Sequence, residues 1–253
     1  VKIAIWLWLR TALLLPASAE ERRQIMTADR LLMEASLYTI ADIARILDQK
    51  YQKIHRWTKP LHLQSTARRQ LPPIITTRPA AKPGRPSVPF VGLVEAQVMV
   101  LLRQCGVAMQ RIRPALARLE EENGLKHALA SKKLCTDGVE VLYELGVNGT
   151  KLIVIKNAKK VFSEIVEDFL KKIEYSEDGY ASRIQLVKYK KAKVVVDPTM
   201  SFGQPIFATS GVRVQDVVER LRTGEPKEEV AEDFHTPRSH IEEAWELANA
   251  KAA

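Results

Sequence analysis

Cysteine is scarce in this sequence: Cys105 and Cys135 are the only two in 253 residues. Neither belongs to a paired Cys or Cys/His spacing, which removes disulfide frameworks and thiolate zinc modules and leaves both as reduced side chains in apolar helical patterns. Catalytic signatures are missing as well. There is no glycine-rich phosphate loop, nucleophile elbow or His-Glu zinc motif. His235 and His240 are five apart with Pro237 between them, a spacing that does not put two metal ligands on one helical face. No metal, no cofactor and no enzymatic activity are expected. The apolar stretch from Ile3 to Leu15 is interrupted by Arg10 and Thr11 and falls short of the roughly 20 residues a spanning helix needs, so no membrane anchor is expected.

Acidic residues are nearly absent from one region. Between positions 37 and 91 only Asp42 and Asp48 oppose ten lysines and arginines, a local charge of +8 that accounts for most of the overall +9. Residues 199–253 carry the opposite balance, six basic side chains against ten acidic ones. A chain polarised in this way suits a polyanion at one end and a basic protein at the other.

The basic region also carries a recognisable pattern. Thr39 is a candidate N-cap, followed by Ile40, Ile43, Ala44 and Leu47 at helical spacing. A break at Asp48 and Gln49 leads into a second helix from about Lys50 to Thr58, stopped by Pro60. Two short helices across a tight turn outline a helix-turn-helix. Turning the second helix by 100° per residue puts Tyr51, Ile54 and Trp57 on a packing side and Gln49, Gln52, Lys53 and Arg56 on an outward side. Glutamine and arginine can make bidentate contacts to adenine and guanine edges, and lysine can serve bases or phosphates. Taken alone, such residues are better explained by an ordinary solvated helix face; the preceding helix, the turn and the local charge reverse that and favour DNA. Residues 59–90 hold seven prolines, with Ile74 to Thr77 as a candidate wing strand. Lys59 precedes that wing, and Arg68, Arg69, Arg78, Lys82 and Arg85 on it could contact phosphate or enter a minor groove; a disordered basic linker explains any one of them about as well.

From Leu93 the spacing becomes helical again, through Leu93, Ala96, Val100 and Leu101, and then through Ile112, Ala115, Leu116 and Leu119 to Asn123-Gly124. Arg111, Arg113 and Arg118 are more ambiguous: Glu120, Glu121 and Glu122 lie close by, so intrahelical ion pairs are a sufficient account of them. Lys151 to Ile155, Ile184 to Val187 and Val194 to Val196 are strand candidates, and Phe162, Ile165, Val166, Phe169 and Leu170 mark an amphipathic helix. Three helices close the chain: Val214 to Arg222, Pro226 to Phe234, and Pro237 to Ala250 with Thr236 as its cap.

These segments resemble a known family. LYTIADIARILDQKYQKIHRW, residues 37–57, looks like the first two helices of a MerR-type winged helix-turn-helix. FVGLVEAQVMVLLRQCGVAMQRIRPALARL and the segment that follows resemble the middle region of VapB-like antitoxins of actinobacteria. VVVDPTMSFGQPIFATSGVRVQDVVERLRTGEPKEEVAEDFHTP is similar to a small helical domain of unknown function found beside PIN-like toxins. This chain has Ser210-Gly211-Val212-Arg213 where the family commonly has Gly-Thr-Arg. The resemblance implies an antitoxin that neutralises a PIN-like ribonuclease toxin and represses its own operon, and it carries a reading role onto Gln52, Lys53 and Arg56.

The expected fold is mainly α with small β elements (α+β): a winged helix-turn-helix over 37–91, a middle dimerisation region over 92–193 and a C-terminal three-helix domain over 194–253. Residues 1–36 are expected to be a leader: Ala17-Ser18-Ala19 resembles a signal-peptide cleavage site, but a DNA-reading module belongs in the cytoplasm, which favours a natural start at Met26 or Met33. The expected partners are double-stranded DNA (its own operator), a cognate toxin and a second copy of the chain. A MerR-like regulator without a toxin, and a toxin-binding module without operator binding, are the alternatives.

Overall fold

The computed structural model describes residues 33–62, 70–80, 82, 84–105, 107–124, 126–132 and 169–250. The leader up to residue 32, Arg68, Arg69, Cys135, the strand expected at 151–155 and the helix expected from Phe162, up to residue 168, lie outside them. Among the described residues the protein is mainly α, with seven α-helices and three small antiparallel sheets.

The first strand, β1 (Ser36–Tyr38), pairs with β4 (Val88–Pro89) and so closes the N-terminal module on itself. Between them run α1 (Ile40–Ile46), α2 (Tyr51–Trp57) and a short hairpin of β2 (Leu61–His62) and β3 (Gln70–Leu71). Helices α1 and α2 have seven residues each. Helices this short are marginal alone in water and need tertiary packing.

That packing comes from α3 (Phe90–Gln104), in which every residue from Phe90 to Leu102 is buried. A helix apolar on all sides belongs inside a core, and α3 serves both ends of the chain. On one side it meets the helix-turn-helix module. On the other, Gln97 Nε2 donates to the Gln185 carbonyl at 3.1 Å, in a four-stranded antiparallel sheet ordered β5 (Ile173–Tyr175), β6 (Ala181–Gln185), β7 (Val194–Val196) and β8 (Ile206–Phe207). One cluster of buried side chains runs from Met33 to Ala244. The two short helices and the small sheet share one helix because neither can bury enough surface without it.

Glycine makes two of the close approaches possible. A Cβ on Gly92 would lie 2.6 Å from the Thr76 carbonyl oxygen, so only glycine lets the 72–76 segment press against α3. Gly203 has φ +69°, and a Cβ there would meet Tyr38 Oη. The buried Tyr38 hydroxyl donates instead to the Gly203 carbonyl at 2.7 Å, joining β1 to the C-terminal part.

The last three helices are α5 (Val214–Arg222), α6 (Lys227–Asp233) and α7 (Arg238–Asn249), close to the spacing-based expectation. The helix before α5 is α4 (Met109–Asn123), which ends at Gly124 as expected. Glu243 of α7 is buried, and its carboxylate accepts from the backbone N–H groups of Lys190, Lys191 and Ala192 at 2.5–3.0 Å. Burial alone would raise this carboxyl, but those three N–H donors hold it below the usual glutamate range. The expected Thr236 cap does not form: Pro237 is the N-cap of α7, and Thr236 Oγ1 bonds to Ser210 Oγ at 2.8 Å and to the Phe234 carbonyl at 3.0 Å. A buried threonine finds these nearer partners, and proline cannot supply a side-chain cap in its place.

Candidate nucleic-acid interface

Thr39 caps α1 as its sequence position indicates. Its hydroxyl accepts from Asp42 N–H at 3.1 Å, while its own N–H donates to Asp42 Oδ2 at 3.0 Å, a reciprocal capping box. Burial pushes the Asp42 carboxyl up, but the Thr39 hydrogen bonds and Arg45 hold it below the usual aspartate range. The turn into α2 passes through Asp48 at φ +55°, and Gln49 N–H bonds to the Ala44 carbonyl at 2.8 Å.

Helix α2 then presents two distinct faces. Ile54 is 0% and Trp57 2% exposed, so these two anchor the helix. Gln52 and Arg56, one turn apart, are exposed together on the opposite side. Lys53 is half-buried: Nζ donates to Gln49 Oε1 at 2.7 Å and lies 5.3 Å from the Trp57 ring centroid. Its ammonium is lowered by burial first and by Arg103 second. Tyr51 departs from expectation. It is 47% exposed and stacks on His55 with centroids 5.7 Å apart, because at the first position of α2 it lies beyond the reach of the core. Tyr51 and His55 thus join the outward surface. Their i, i+4 spacing was the sequence signal for it.

The wing differs from the expected strand. Ile74 to Thr77 form no strand; Ile74 and Ile75 are buried, and their N–H groups donate to the Trp57 carbonyl at 2.9 and 3.2 Å. Two consecutive apolar residues that both point inward cannot alternate as a strand does. The two strands here are β2 and β3, and Arg68 and Arg69 lie outside the described residues. Lys59 is exposed just before β2. Arg85 is exposed in the return loop leading to β4, near Ser87, whose N–H bonds to the Tyr38 carbonyl at 2.9 Å; it lies outside the hairpin, as do Lys82 and Arg78. Arg78 pairs with Glu34 at 2.5 Å.

Arg113 of α4, ambiguous in the sequence, takes a structural role. It is only 6% exposed and turns to backbone carbonyls. Its guanidinium donates to the carbonyls of Pro72 at 2.5 Å, Lys59 at 3.0 Å and Arg56 at 3.4 Å. One side chain therefore ties the C-terminal end of α2 to both ends of the hairpin. Its place beside Ile112, on the inward side of α4, was the available clue.

A second clamp holds the segment after the hairpin. The Glu95 carboxylate, on α3, accepts from Thr76 N–H at 2.6 Å and Thr76 Oγ1 at 3.0 Å and pairs with His127 Nδ1 at 3.1 Å. The Glu95 hydrogen bond, outweighing burial, raises the imidazole above the ordinary value of 6.5; Glu34 adds to this and Arg78 opposes it. The folded state thus holds the proton more tightly than the unfolded chain. Its contribution is complete below 6.5 and is lost as pH climbs through the raised folded value. Urea melts at about pH 6 and about pH 8.5 are expected to show the stability gap between the protein and His127→Gln narrowing at the higher pH. A gap independent of pH would assign the pair no ionic role.

Comparison with known proteins bears on this geometry. Residues 36–116 match a family model described as "Putative DNA-binding HTH domain", and residues 194–248 match "Protein of unknown function (DUF433)". A curated relative, "Putative antitoxin VapB45" of Mycobacterium tuberculosis (strain ATCC 25618 / H37Rv), is 39% identical over 237 residues, covering 87% of this chain and 97% of its own length. The chain belongs to the VapB-like antitoxin family. A crystal structure of Rv2018 from Mycobacterium tuberculosis superposes on this VapB-like chain with a TM-score of 0.67 at 35% identity, covering 84% of this chain and 98% of that one. The helix-turn-helix match extends past β4 through α3 and into α4. In this VapB-like protein the DNA-binding module thus includes the core helix and Arg113. Among the described residues no helix is long and apolar enough to cross a membrane.

Proposed function

We propose that this chain is the antitoxin of a two-component system, acting by binding instead of catalysis: it neutralises a PIN-like ribonuclease toxin and represses its own operon from the cytoplasm. The observation that carries the DNA half is the outward face of α2. Gln52 and Arg56 are exposed, Lys53 and Gln49 flank them, and Ile54, Trp57 and Arg113 fix the helix from behind. Gln49, Gln52, Lys53 and Arg56 read or grip the operator, while Lys59, Arg68, Arg69 and Arg85 contact phosphates. A homodimer fits this role, since helix-turn-helix operators repeat half-sites about a two-fold axis.

The toxin half rests on the acidic balance of residues 199–253 and on membership of an antitoxin family. Exposed carboxylates on α6, Glu229 and Glu232 among them, offer a surface for a basic protein. In a pull-down with the neighbouring gene's product, Glu229→Lys with Glu232→Lys is expected to weaken capture and leave operator retention in a gel shift intact. Retention lost together with capture would point to damage of the fold; capture unchanged would remove this surface from the toxin interface. A toxin-binding module without operator binding would show only weak, sequence-indifferent retention of its own promoter.

A further inference from the structure

Where α1 of the DNA-binding module meets α5 and α7, a cleft of about 560 Å³ opens between the two ends of the chain. Ligand pockets favour such junctions, and this volume suits a small molecule. Its base is apolar: Ile46, Val214 and Val218 are buried, and Leu247 and Ala248 are half-buried beside them. Its rim carries Arg45, Lys188, Arg213 and Arg222 against only two carboxylates, Asp216 and Glu219.

That excess of cations is local. Both ends of the chain supply it: Arg45 comes from the basic N-terminal module and Lys188 from the loop between β6 and β7, while Arg213 and Arg222 of the C-terminal part are matched there by Asp216 and Glu219. The rim is also held in place. Arg45 Nη1 donates across the cleft to Gln215 Oε1 at 3.0 Å, and its Nη2 pairs with Asp42 at 3.0 Å. Arg213 Nε pairs with Asp216 at 2.8 Å, and Lys188 Nζ donates to the Arg45 carbonyl at 3.3 Å. Arg222, the last residue of α5, is exposed.

From the apolar base and the cationic rim we infer that this cleft binds a small amphipathic carboxylate, its hydrocarbon body on Val218 and Leu247 and its anionic head among Arg45, Arg213 and Arg222. The inference is independent of the antitoxin reading: it adds a ligand site to a protein whose expected partners are macromolecules. Because α1 forms one wall, an occupied cleft touches the helix that leads into α2.

The test is calorimetric titration of the full chain with decanoate below its micelle threshold, with decanol as the uncharged control. Decanoate is expected to bind saturably at one site per chain, and decanol at least about tenfold more weakly, since the rim recognises charge. Arg222→Glu, at an exposed position, is expected to cost about tenfold. Ala248→Trp, which fills the cleft, is expected to abolish binding while the far-ultraviolet spectrum is unchanged. Equal affinity for decanol, binding that survives both variants, or no saturable binding would each overturn the proposal. So would a cleft that takes no decanoate and whose filling releases a co-expressed toxin, which would make it a protein docking site.

Discussion

Arg113→Met is expected to lower stability by about 2–5 kcal/mol and to remove operator binding, although the residue never faces DNA. The guanidinium is the hydrogen-bond donor for the carbonyls of Pro72 and Lys59, and it reaches that of Arg56. Methionine matches its stem but donates nothing, leaving part-buried acceptors without their donor at up to about 1–3 kcal/mol each. The last turn of α2 and the mouth of the β2–β3 hairpin would then lose their shared tie. Arg113→Lys should recover only part of the loss, because a single ammonium cannot replace a planar fork aimed at separate carbonyls. Urea unfolding measures the first effect and gel shift the second. Unfolding of Arg113→Met that coincides with the unsubstituted protein would mean that the carbonyls find other donors, and the clamp would be refuted.

Reversing charge at the reading helix should act in the opposite sense, with a large loss of binding and little change in stability. Lys53→Glu with Arg56→Glu is expected to reduce operator affinity by about 100-fold or more at moderate salt, since two cations are lost and two repulsions are gained. The slope of log affinity against log salt should become shallower by about two. Arg56 is exposed and Lys53 only half-buried, so the melt should stay close to that of the original chain. Gln52→Ala makes a useful contrast: it carries no charge, so it should relax sequence preference and leave the salt slope unchanged. Operator affinity untouched by the double reversal would show that α2 is not the reading element.

These two experiments probe residues of very different legibility. The outward placement of Gln52 and Arg56 was visible in the sequence because an α-helix turns 100° per residue, and Ile54 and Trp57 mark which side is buried, whereas Lys53, expected beside them, is half-buried near Trp57. Tyr51 was misplaced by the same rule, since an angular position says nothing about whether the core extends to the end of the helix. The wing was misplaced for another reason. Ile74 and Ile75 have the composition of a strand, but their N–H groups go to the Trp57 carbonyl. Thr236 looked like a cap, but it is buried, and the half-buried Ser210 engages its hydroxyl.

What the sequence determined by itself is therefore local: the Thr39 capping box, the helices of the helix-turn-helix, α5 to α7, the strand at Val194–Val196 and the charge polarity. Caps, periods and net charge arise between residues a few positions apart, so they can be read in order along the chain. The tertiary structure alone decided that α3 would be buried on every side, that Arg113 would serve the backbone of α2, and that cations from both ends of the chain would meet on the rim of one cleft. Those outcomes depend on partners far away in sequence, 54 residues from Arg113 to Lys59 and 165 from Tyr38 to Gly203, which meet only when the apolar surfaces of both ends close on one helix.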